Sequence, residues 1–154
     1  MFSYFKPQRA IAHCLLLIPA LLLMNFHKAQ AAYCVPSNPT CAGTNHITVV
    51  SINGTSFNNA SNGCSGLNGP AYTIFAVSPQ TTATLQPGGT YQISVTCNGN
   101  SVVSLWIDYN QNQQFESNEW TLVTSTTTAG IPSTASFTIP SNAVNGLTGL
   151  RIRS

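Results

Sequence analysis

From residue 46 onward, apolar and polar positions trade places in short runs, and each run stops at a turn signal. In "TYQISVTC" (90–97), Tyr91, Ile93, Val95 and Cys97 fall on one face and Thr90, Gln92, Ser94 and Thr96 on the other, the period of a half-buried strand. Similar runs cover 46–53, 71–77, 83–85, 101–109, 120–125, 134–139 and 148–154. The breaks between them are "NGTSFNNASNG", Ser78-Pro79, "QPGG", "NGN" and Pro140, all turn chemistry. No helical period is visible after residue 32. The pattern predicts an all-β domain over 32–154, an antiparallel sandwich of about eight strands, jelly-roll or Ig-like. Residues 56–70, rich in Asn, Gly and Ser, read as an irregular loop. The last run still alternates at Ser154, so the domain is expected to be cut at its C-terminal edge and to belong to a longer polypeptide.

The first 31 residues follow a different logic. Lys6 and Arg9 precede an apolar stretch at 10–26, and "AQA" (29–31) places small residues where a signal peptidase reads. The stretch contains Pro19 and is at the short limit for spanning a bilayer. Cleavage is expected after Ala31, giving a secreted or surface-exposed chain with no membrane segment. Cys14 lies inside the apolar stretch and Cys34 follows the bulky Tyr33, which argues against lipidation. Removing the leader changes the charge. Lys6, Arg9 and Lys28 leave with it, so Arg151 and Arg153 face three acids and the net charge becomes −1. Without a basic patch, nucleic acid is not an expected partner. Asn, Ser, Thr and Gln must wet the surface instead, which suits an extracellular β-protein.

Four cysteines survive processing: Cys34, Cys41, Cys64 and Cys97. An even number in a small secreted domain predicts two disulfides, each adding about 2–4 kcal/mol, with three pairings open. The spacings contain no C-x-x-C, which disfavours a zinc site.

All the acids lie in "DYNQNQQFESNE" (108–119): Asp108, Glu116 and Glu119. The run fits a twelve-residue Ca²⁺ loop, with Asp108 at position 1, Asn110 at 3, Asn112 at 5, the Gln114 carbonyl at 7, Glu116 at 9 and Glu119 at 12. Ca²⁺ wants six to eight oxygens, and alternate residues of a curled loop can supply them. Position 6 is Gln113, where glycine is wanted for positive φ, at a cost of about 1–2 kcal/mol. The competing reading is a polar hairpin loop whose Asn side chains bond their own backbone.

"LWIDYNQNQQFESNEW" and "SFTIPSNAVNGLTGLRIR", with "TYQISVT" and "YCVPSNPTC…ITVVSINGTSFNN" upstream, resemble the GEVED domain, a β-sandwich module of secreted, often multidomain bacterial proteins. The resemblance implies a calcium-loop-like W-I-D-x-N-x-D-G-x-F run. Trp106, Ile107, Asp108, Asn110 and Phe115 match it, whereas Asn112 and Gln113 replace its Asp-Gly pair. After Thr148 the family often has Arg directly, but here Gly149 and Leu150 intervene. It also implies a non-catalytic accessory module attached to peptidases, other hydrolases or adhesins.

Other constellations are weaker. His46, the sole histidine after the leader, has no nucleophile elbow to serve. Glu116 and Glu119 as a glycosidase pair would need an aromatic cleft and two separated pKa values. Trp106 shares a strand face with Asp108 and Trp120 follows Glu119, so both bracket the loop. They read as core or rim aromatics, or alternatively as a sugar platform. The function expected is an extracellular accessory or interaction module carrying a weak Ca²⁺ loop. Its expected partners are other domains of the same polypeptide and a glycan or surface protein. The alternatives are a carbohydrate-binding module or the appendage of a secreted hydrolase.

Overall fold

Alternation fixes which side of each strand meets the core, and pairing then fixes the strands. A computed structural model describes Tyr33, residues 45–60 and residues 72–154, all within the unit Tyr33–Ser154. The predicted leader, together with Cys34, Cys41 and Cys64, lies outside the described residues. The strands are β1 (Ile47–Ile52), β2 (Asn58–Asn59), β3 (Thr90–Cys97), β4 (Val103–Ile107), β5 (Trp120–Thr124), β6 (Ser133–Thr138) and β7 (Leu150–Arg153). They form two antiparallel sheets, one in the order β2-β1-β3-β6 and the other β5-β4-β7. No helix among the described residues is long and apolar enough to cross a membrane.

The two sheets bury their inward faces against each other. Val50 and Ile52 of β1 lie opposite Val95 and Ile93 of β3. Val103, Leu105 and Ile107 of β4 and Val123 of β5 join them from the second sheet, and Phe137 of β6 from the first, in one apolar cluster. The all-β sandwich is as expected, with seven strands among the described residues in place of about eight. The run 71–77 does not ladder where it is described. Its apolar residues would fall on both faces of a strand, and the structure covers neither: residues 73–77 are all exposed. Ile74 and Val77 are accordingly 74% and 66% exposed. In 83–85 the alternation is right but no strand forms: Ala83 and Leu85 pack against the core without joining a ladder. The pair Asn58–Asn59, inside the region read as loop, adds a two-residue edge strand to β1.

Cys97 departs from the disulfide expectation. Its thiol is free and buried, on the inward face shared with Ile93 and Val95. A free cysteine in such a place acts as a small hydrophobe, and burial pushes its thiol pKa up. Burying a Val, Leu or Ile side chain is worth about 1.5–3 kcal/mol each. The twelve-residue cluster is therefore a far larger source of stability than one crosslink.

Candidate functional site

The acidic run connects β4 to β5, two neighbours in the three-stranded sheet, so it is a hairpin loop closing one end of that sheet. A 3-10 turn at Ser117–Glu119 leads into β5. The strand stops at Ile107, and Asp108 turns out of the alternation. It does not share the outward face of Trp106; it is fully buried, at 0% exposure. Three donors meet its carboxylate. Oδ1 accepts the Asn112 N–H (3.2 Å), and Oδ2 accepts the Gln113 N–H (2.9 Å) and the Tyr33 hydroxyl (2.8 Å).

Glu119, 2% exposed, closes the other end. Its Oε1 accepts the Tyr109 N–H (2.9 Å) and its Oε2 the Glu116 N–H (3.1 Å). Glu116 is exposed and accepts from Asn110 Nδ2 (2.8 Å). Asn110 Oδ1 accepts the Asn112 N–H (2.9 Å) and Asn112 Oδ1 the Gln114 N–H (2.8 Å). Both asparagines thus bond their own backbone two residues on, as a polar hairpin loop requires. The backbone also takes the sharp path of a Ca²⁺ loop: Gln113 sits at φ 72° and Gln111 at φ 57°. Position 6 therefore turns as expected although it is not glycine.

Tyr33 gives the loop a clamp that local sequence pattern does not reveal. Its hydroxyl accepts the Gly149 N–H (2.8 Å) while donating to Asp108. Its ring stacks on Phe115 with centroids 4.8 Å apart, and the Arg151 guanidinium lies 4.4 Å from the Phe115 ring centroid. Gly149 makes this approach feasible: a Cβ there would lie 2.6 Å from Tyr33 Cε2 and nearer still to Cζ. That contact gives a physical reason for glycine at one of the inserted positions before Arg151. Burial, then the adjacent Asp108 carboxylate, pushes the Tyr33 phenol above its usual range. Burial, then Glu119, does the same for Tyr109. Tyr33 therefore stays protonated and remains a donor at neutral pH. The segment after β6 braces the loop from outside, with Gln111 Nε2 donating to the Val144 carbonyl (2.9 Å) and Val144 N–H to that of Tyr109 (2.8 Å).

The three carboxylates do not gather into one cage. Among the described residues no three His, Cys, Asp or Glu side chains converge where a single ion would touch them. A hollow of about 100 Å³ includes Glu119, Asn110 and Asn118 in its lining but not Asp108. An ion here would be shared by two carboxylates at most, with amide and main-chain oxygens completing the shell. The donor set still fits a hard cation. A carbonyl or carboxylate oxygen has two lone pairs, and Asp108 Oδ1, both Glu119 oxygens and the Asn110 and Asn112 Oδ1 atoms each accept one bond.

His46 lies elsewhere, just before β1, where its N–H donates to Asn98 Oδ1 and its carbonyl accepts the Asn98 N–H. Trp106 and Trp120 are direct cross-strand partners on the outward face of the sheet, and neither belongs to the core. The model of the GEVED domain family matches residues 102–154, from the approach to β4 through β7. This stretch contains the whole loop, while the upstream runs that resemble the family lie outside the match. No curated protein and no solved structure matches the chain.

Proposed function

We propose that the chain is a non-catalytic extracellular accessory module whose hairpin loop binds Ca²⁺ weakly. The ligands would come from the carboxylates of Asp108 and Glu119 with the oxygens of Asn110, Asn112 and the Gln114 carbonyl, while Glu116, expected at position 9 but exposed, would not touch the ion directly. One observation carries the ion reading. Two buried carboxylates, Asp108 and Glu119, are met by five hydrogen-bond donors, four backbone N–H groups and one phenol, all of them neutral. Buried charge is ordinarily paired or bound to a metal, and a cation would supply what neutral donors do not. Asn110 and Asn112 bring amides where carboxylates would add attraction. Gln113 holds positive φ at a cost of about 1–2 kcal/mol. Both weaken binding and favour the extracellular range of about 10⁻⁴–10⁻³ M. The accessory role is supported by the GEVED match.

Thermal melting tests the ion. With a Kd near 1 mM, 10 mM CaCl₂ adds about 1.4 kcal/mol, or roughly 4–7 °C for a domain of this size. MgCl₂ should add less, because Mg²⁺ demands stricter octahedral geometry. A melting temperature unmoved by CaCl₂ would leave the loop as a self-bonded hairpin.

A further inference from the structure

The outer face of the three-stranded sheet carries large apolar side chains that the core does not cover. Cross-strand register places Trp120, Trp106 and Arg151 in one row, and Leu122, Ser104 and Arg153 in the next. The core of this sheet lies on the other side, at Val103, Leu105, Ile107 and Val123. Trp120 and Leu122 remain 46% and 43% exposed. An open groove of about 220 Å³ runs between Val102, Ser104, Trp106, Arg153 and Ser154. The charged side chains of the two rows have one sign. Arg151 and Arg153 are the only bases after residue 28, and none of the six positions in the two rows is acidic.

We propose that this face binds a carboxylated polysaccharide, a uronic-acid glycan, with pyranose rings laid on Trp106 and Trp120 and a carboxylate on Arg153. An exposed indole offers a broad, rigid apolar surface to the C–H side of a sugar ring, with only two side-chain torsions to fix. A guanidinium fork matches a carboxylate with two parallel hydrogen bonds. Arg151, held over Phe115, adds positive field beside the row. Two bases are too few for nucleic acid, whose affinity depends on many phosphate contacts. An acidic peptide would satisfy Arg153 but offers no flat ring to a pair of indoles. The proposal goes beyond the calcium reading and does not depend on it.

The test is a titration of the purified full chain with oligogalacturonate, oligoglucuronate and oligomannuronate, each beside its methyl ester, followed by tryptophan fluorescence. It is run in EDTA and again in CaCl₂, so the outcome is separate from that of the ion. At least one uronate should bind saturably in one of the two buffers, and its ester about tenfold more weakly, the loss expected for a bond to a charged group. Arg153→Gln should cause the same loss, and Trp120→Ala should abolish binding with the melting temperature unchanged. Both positions are exposed, so the variants should fold. The proposal is overturned if no uronate binds in either buffer, if the esters bind equally well, or if polyglutamate competes as effectively as the sugar.

Discussion

Asp108→Asn is the sharpest perturbation of the loop, because it keeps the shape and removes the charge. The carboxylate accepts three bonds while fully buried. An amide offers one oxygen. Its less costly orientation leaves the carbonyl toward Gln113 N–H and Tyr33, and turns the NH₂ toward the Asn112 N–H. That N–H keeps its second acceptor, Asn110 Oδ1 at 2.9 Å, so the stranded group is the new NH₂. An unsatisfied buried donor costs about 1–3 kcal/mol. The two retained bonds fall from roughly 1.5–3 kcal/mol each, with a charged acceptor, to roughly 0.5–1.5 with a neutral one. Burying an amide in place of a charge returns part of this. The net is a destabilisation of about 2–4 kcal/mol, or about 10 °C in melting temperature. Differential scanning calorimetry in EDTA measures it without interference from an ion. Glu116→Gln, at an exposed carboxylate, is the control and should stay within about 0.5 kcal/mol. A melting temperature for Asp108→Asn within about 2 °C of the parent would refute the view that this buried charge organises the loop.

Gly149→Ala should cost about 1–3 kcal/mol by forcing the Tyr33 ring aside, and far less in a Tyr33→Ala background; equal costs in the two backgrounds would exclude the contact. The Tyr33 and Tyr109 phenols are raised above 10.0 by burial, so the folded state holds these protons longer than the unfolded chain. Stability should be intact below pH 10 and fall as pH rises beyond it. Tyr33→Phe should make that fall shallower in alkaline denaturation, with Tyr109 sustaining the remainder. Cys97, buried and unpaired, should resist iodoacetamide in native buffer and be labelled in denaturant; mass spectrometry showing it in a disulfide in the native protein would contradict the fold as described.

The strands that were legible in the sequence are those whose alternation has one apolar face. A half-buried strand enforces period two, and β3, β6 and β7 carry it most cleanly; β4 and β5 keep an inward set, Val103, Leu105, Ile107 and Val123, although Trp106, Trp120 and Leu122 stand on the outward face. The run 71–77 misled because apolar density resembles a strand while lacking a polar side. The two-residue β2 is too short to carry a period. In the loop, the turn at Gln113 and the asparagine-to-backbone bonds were readable, since both are local. Tyr33 was not: its contacts with Asp108 and Gly149 span 75 and 116 positions, and no short-range signal announces them. Cys97 shows two readings in conflict. Alternation already placed it inward with Ile93 and Val95, whereas counting thiols in pairs asked it to leave that face. In the structure it stays inward.

The central claim is that the carboxylates of Asp108 and Glu119 serve one cation. A crystal structure of the protein grown in CaCl₂ tests it most directly. The account predicts a single ion with oxygens of both side chains at about 2.3–2.6 Å, among six to eight oxygens in all. An ion bound elsewhere, or a loop in which the five neutral donors alone meet the two carboxylates, would contradict it.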